Sequence, residues 1–149
     1  MPTLPSAFDV AKYILTQHGE MTAMKLQKLV YYCQAWSLVW DERPMFSEKI
    51  KAWANGPVVG ELYHAHKGRF LVRAQHVTGN PSALDSKAIA TVNAVLKFYG
   101  GKTAQWLSDL THNERPWVEA REGLKPGESG GSVITHAAMA EYYGSLKKN

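Results

Sequence analysis

The chain has 149 residues, 45% hydrophobic and 20% charged, with a net charge of +4. That balance excludes overall disorder, and a chain this long buries roughly 70% of its unfolded surface without a disulfide or metal staple. One cysteine excludes an internal disulfide and a cysteine-rich zinc site. The uncharged run 29–40 spans only 12 residues, short of the ~20 that a membrane-spanning helix needs.

Residues 1–19 contain no basic stretch followed by an apolar one, so no secretory signal and a cytoplasmic location are expected. The positive surplus is spread thinly, and no Lys/Arg run exceeds the Lys147-Lys148 pair. A phosphate-tracking stripe concentrates its charge on one face, so nucleic acid is kept only as an alternative partner.

A first helix is expected from Ser6 to His18, capped by Ser6 with Asp9 in its first turn and stopped by Gly19. The second, capped by Thr22 and running to Trp40, is the most strongly patterned. Leu26, Leu29, Val30, Cys33, Trp36 and Trp40 form a helical stripe. Tyr31, Tyr32, Leu38 and Val39 add apolar surface off it, as at the centre of a core or on a partner surface. After a break at Asp41-Glu42-Arg43-Pro44, Ile50 to Ala54 alternates as a short strand.

Asn55-Gly56-Pro57 is expected to start a third helix running to Lys67, with Gly56 free to take an unusual backbone angle and Pro57 at the first helical position. Leu71 to Val77 is a candidate second strand, and Gly79-Asn80-Pro81 a turn. Further helices are expected from Ser82–Asp85 to Tyr99, from Thr103 to Thr111, as a short turn over Pro116 to Arg121, and from Thr135 or His136 to Lys147. Gly123 to Gly131 reads as a flexible loop. The expected fold is mainly α (α+β): a compact single-domain bundle of about six helices with a small hairpin or short strands.

Catalytic and metal signatures fail on context. Gly127-Glu128-Ser129-Gly130-Gly131 fits the G-x-S-x-G nucleophile elbow, but no strand is expected before it and only one histidine, His136, follows. Cys33 sits mid-helix on the apolar stripe, where its thiolate is disfavoured. His64 and His66 are two apart, whereas helical metal pairs use i, i+4. No catalytic residue, metal or cofactor is assigned. His112 with Glu114, or with Lys28, leaves a small His-dependent enzyme as an alternative.

Three stretches carry more information: 26–36 (LQKLVYYCQAW), 50–59 (IKAWANGPVV) followed by Leu62-Tyr63, and 110–117 (LTHNERPW). In this order and spacing they resemble the Panacea-domain antitoxins, also called SocA-like or phage-associated GepA-like proteins, and Ile134 and Tyr142-Tyr143 resemble the family's last segment. The resemblance implies a mainly helical domain. It also implies the antitoxin half of a toxin–antitoxin pair of prophages and mobile elements, neutralising a cognate toxin, encoded by an adjacent gene, through protein contact. A small regulator or adaptor binding nucleic acid or protein is the alternative. The extra DNA-binding domain that many such proteins carry is not expected in these 149 residues.

Lys28, Tyr31, Trp53, Tyr63 and Trp117 are the candidate partner-binding residues, because Trp and Tyr bury much area at low entropy cost. Gly56, Pro57, Val58, His112 and Pro116 are read as the structural part of the motifs: backbone freedom, helix initiation and a tie between helix end and loop.

Overall fold

The computed structural model describes residues 4–147. Helix α1 (Ala7–His18) begins on a reciprocal cap, in which Ser6 Oγ accepts from the Asp9 amide at 3.2 Å and Asp9 accepts from the Ser6 amide at 2.8 Å. Strand β1 (Met21–Thr22) leads into helix α2 (Ala23–Trp40), capped by Thr22. Strands β2 (Ile50–Trp53) and β3 (Gly56–Val59) form an antiparallel hairpin, and α3 (Gly60–His66) follows directly. Strand β4 (Leu71–Val72) pairs with β1. Helices α4 (Ser86–Tyr99), α5 (Ala104–His112), α6 (Arg115–Ala120) and α7 (His136–Leu146) complete a mainly helical fold with two small sheets among the described residues. No helix among them is long and apolar enough to cross a membrane.

Helix α2 is the centre. Every residue from Leu26 to Ala35 is buried, and the helix packs against α1, α4, α5, α7 and the hairpin. A helix apolar on all sides belongs inside, which is why its pattern overflows a single stripe. Its buried polar atoms then need partners. Gln34 Oε1 accepts from the Met45 and Phe46 amides at 2.7 and 3.2 Å, and its Nε2 donates to the Phe46 carbonyl at 2.8 Å. One side chain thereby pins the loop between α2 and β2.

A second network lies on the opposite side. Tyr32 and Tyr143 donate to Glu114 Oε1 at 2.8 and 2.6 Å, and the Tyr31 and Tyr143 hydroxyls are 3.0 Å apart. Tyr99 stacks on Tyr32 at 4.1 Å and accepts from Trp36 Nε1 at 3.0 Å. Burial pushes the Glu114 carboxyl up, against the pull of the two hydroxyls.

Two expectations are corrected. Pro57 does not start a helix: it lies in β3 opposite Ala52, and α3 begins at Gly60. The Ala52 amide points away from β3, to the Ser132 carbonyl at 2.9 Å. Pro57 therefore occupies a non-bonded pair, where a missing N–H costs nothing. The strand expected over 71–77 stops at Val72, because Ala74–His76 coils into a 3-10 turn held by the Arg73 amide on His76 Nδ1 at 3.0 Å. Segment 123–131 has no helix or strand, but Arg121, itself buried, donates to the carbonyls of Ala52 and Gly130 at 2.8 and 2.7 Å. Beyond it the Ile134 amide bonds the Ile50 carbonyl at 2.8 Å, seating the segment on the outer edge of β2.

Replacing Glu114 by Ala leaves buried phenolic hydroxyls without their acceptor. The expected loss is about 3 kcal/mol in urea unfolding, with Glu114→Gln losing about a third of that because an acceptor oxygen remains.

Candidate functional site

A cleft of about 820 Å³ opens between the N-terminal half of α2, the turn of the β2–β3 hairpin, and α3 with the segment after it, and Ser129-Gly130 edge it on one side. Each wall has a local cause. The hairpin turn is tight because Gly56 adopts φ 119°, a conformation that side chains with a Cβ rarely take. The hairpin is fixed to α2 by Gln27, whose Oε1 accepts from the Val59 amide at 2.9 Å and whose Nε2 donates to the Val59 carbonyl at 3.3 Å. The same amide donates to His66 Nε2 at 2.9 Å, so His66 is the neutral Nδ1–H tautomer; burial also pushes its pKa down. Trp53 and Tyr63 meet edge to face at 5.1 Å and form an aromatic wall.

Lys28 lies at the floor. Its side chain is 1% exposed, yet its Nζ takes no part in the hydrogen bonds or salt bridges of the described residues. Burial pulls its pKa down to about 8. The side chain passes over Gly56: a Cβ there would collide with Lys28 Cε and lie 3.0 Å from Nζ. Gly56 is thus required twice, by its backbone angle and by the lysine.

Behind the hairpin, the His112 and Trp117 rings pack at 4.2 Å, the Arg121 guanidinium sits 5.5 Å from the Trp117 ring, and Trp117 Nε1 donates to the Trp53 carbonyl at 2.8 Å. His112 Nε2 is buried without a partner among the described residues. Burial first, and then the Lys28 charge, push its pKa below the ordinary range.

Of the candidate residues, the fold brings Lys28, Trp53, Tyr63 and Val58 to one cleft. Trp117 supports Trp53 from behind. Tyr31 is corrected from partner contact to core: it is 1% exposed and belongs to the tyrosine network. Pro116 is buried in the first turn of α6. His112 and Glu114 serve different networks and form no acid–base pair. Ser129 edges the cleft, but no strand precedes it and α7 starts only at His136. Cys33 is wholly buried, and burial pushes its thiol far up.

Sequence reasoning missed Gln27, His66, Met24 and Phe70, and missed that Lys67 and Arg69 reach the rim. One signal was available: Gln27 and Gln34 stand seven apart on an apolar helix, the spacing of two polar groups on one buried face.

The lysine makes a sharp prediction. Its folded-state pKa lies below the unfolded 10.5, so below about pH 8 the folded state bears the full cost of holding a buried ammonium. Between about 8 and 10.5 the unfolded chain binds more protons, and stability rises with pH. Lys28→Met is expected to be more stable than the wild type by about 3 kcal/mol at pH 7, with the gap closing by pH 10.5. Urea titrations of both proteins across that range measure it. Gly56→Ala is expected to lose about 2 kcal/mol or more, and Lys28→Ala to recover only the steric part of that loss in a double-mutant cycle.

No curated protein and no solved structure matches the chain. A family model described as "Antitoxin SocA-like, Panacea domain" matches residues 26–118. The match takes in α2 from Leu26, the hairpin, α3, α4, α5 and the start of α6, and so most of the cleft lining, but not Ala23, Met24, Ser129 or Gly130. The chain belongs to the SocA-like, Panacea-domain antitoxin family.

Proposed function

We propose that this chain neutralises a cognate toxin by direct, non-enzymatic binding, and that the rim of the cleft is the binding surface. The observation that carries the reading is the apolar rim. Met24 and Phe70 both line the cleft and are 41% and 78% exposed. Phe70 is not a loose loop residue: its carbonyl accepts from the Ala23 amide at 2.9 Å, beside the first turn of α2. An exposed aromatic ring on a backbone anchored by hydrogen bonding is the form an interface anchor takes.

Trp53 and Tyr63 extend the apolar surface inward, and Lys67 and Arg69 flank it. Aromatics, Met and Arg are the residues that interface centres favour. Trp117 contributes indirectly, by fixing the Trp53 backbone. The family's description as antitoxins supplies the partner class. The toxin is the product of an adjacent gene in a prophage or other mobile element, and both proteins meet in the cytoplasm.

The neighbouring open reading frame is induced alone and then together with this chain. The expected result is growth arrest alone, rescue on co-expression, and co-purification of the two proteins. The variant Met24→Ser/Phe70→Ser, altered only at exposed positions, is expected to stay folded and bind about 30-fold more weakly. A harmless neighbour overturns the antitoxin reading. Undiminished binding by the double variant moves the surface off this rim.

A further inference from the structure

We propose that the cleft is a binding site for a small organic anion: an aromatic or heteroaromatic ring bearing one carboxylate or phosphate, with the charge paired to Lys28. The inference does not rest on toxin binding and is measured on this chain alone.

Four observations converge. The first is size: about 820 Å³ lies within the range of roughly 300–1,000 Å³ of small-ligand sites and far exceeds what one side chain fills. The second is the floor. Lys28 is 1% exposed and has no counter-ion among the described residues. A buried, unpaired ammonium is destabilising, and a methionine of similar length would fill the same space without that penalty. The group that compensates a buried ammonium is an anion, and the cleft is the open side from which one reaches it.

The third is the absence of competition. Among the described residues no Asp or Glu lines the cleft, whereas Lys67 and Arg69 do, so the charge that lines it is of one sign. A concave site walled by apolar groups focuses that field and draws anions in. Gln27 is fully engaged by Val59 and His66, and His66 Nε2 is taken by Gln27. Lys28 is the polar side chain left free at depth.

The fourth is the wall. The Trp53 and Tyr63 rings stand edge to face at 5.1 Å, with Phe70 and Met24 above them, so the space over Lys28 is lined by flat and flexible apolar groups. Such a lining accepts a planar ring. The close pass of Lys28 over Gly56 holds the amine in place before any ligand arrives. Pre-organisation of this kind lowers the entropic cost of binding. Charge at depth, ring above it and two further cations at the mouth define the ligand class.

The test uses the purified chain and four probes in two matched pairs: adenosine 5′-monophosphate against adenosine, and indole-3-acetate against indole-3-ethanol. Binding is followed by saturation-transfer NMR and calorimetry. At least one anion is expected to bind, and its neutral partner at least about tenfold more weakly. The pair that responds tells phosphate from carboxylate. Lys28→Met, and independently Lys28→Gln, are expected to weaken the anion by tenfold or more, with folding checked by circular dichroism. Arg69→Ser, at the exposed mouth, is expected to cost only a few-fold. Silence of all four probes at millimolar concentration overturns the proposal. Equal binding of charged and neutral partners overturns it, as does binding that survives both lysine variants. If only the toxin complex depends on Lys28, the anion is an acidic side chain of the toxin and the small-ligand proposal falls.

Discussion

Burial of the middle of helix α2 on every side, from Leu26 to Ala35, is the constraint from which the rest follows. The stretch Leu26 to Ala35, buried without a break, cannot leave a polar side chain to bulk water, so its glutamines and tyrosines find partners in the protein. Gln27 and Gln34 do so by bonding both backbone groups of a facing residue, as a neighbouring strand would. Those bonds dock the hairpin at one end of the helix and the 41–49 loop further along. Tyr31 and Tyr32 do so through the Glu114–Tyr143 network, which ties α6 and α7 to the same helix. The periphery is held by what the central helix could not leave unsatisfied.

Lys28 is the exception on that helix. It sits one residue from Gln27 and is as deeply buried, yet finds no partner among the described residues. Gln27, Gln34, Tyr31 and Tyr32 are each satisfied, whereas Lys28 has no salt-bridge partner among the described residues and lines a cleft. Sites that act on something else are where local rules are broken and the cost is met by the surrounding structure. The surrounding structure supplies the supports: Gly56 clears space for the lysine, Trp117 and Arg121 hold the hairpin from behind, and Gln27 holds it from below.

The three matched stretches of sequence thus have distinct physical jobs. The first supplies the central helix with its glutamines and lysine. The second supplies the hairpin, whose turn forms one wall of the cleft. The third supplies Thr111, His112, Glu114, Pro116 and Trp117, which underpin the other two and do not line the cleft themselves. The apolar rim comes from residues outside any motif, Met24 within the first turn of α2 and Phe70 before β4, so the same scaffold can carry different rims.

Much of the helical frame was legible in the sequence, because caps and 3.6-residue periodicity are local. Ser6, Thr22, Thr103 and Thr135 each cap the helix their position announced, and the overfull stripe of α2 marked the centre of the core. Pro57 was misread because its place is set by a strand pair rather than by its neighbours: the helix-start preference of proline is real but gave way to a hairpin position that needs no N–H. The site was half legible. Lys28, Trp53 and Tyr63 stood out by type, but Lys28 and Tyr31 are equally buried, and only the packed chain turns one toward the cleft and the other into the tyrosine network. The placing of Lys67, Arg69 and Phe70 around the Lys28 side chain joins parts of the chain about 40 residues apart, and no periodicity encodes it. Sequence alone determined most of the helices and their caps, because those signals are local; only tertiary packing decided the strand pairs and which buried polar groups find partners, as Gln27 and Gln34 do and His112 Nε2 does not among the described residues.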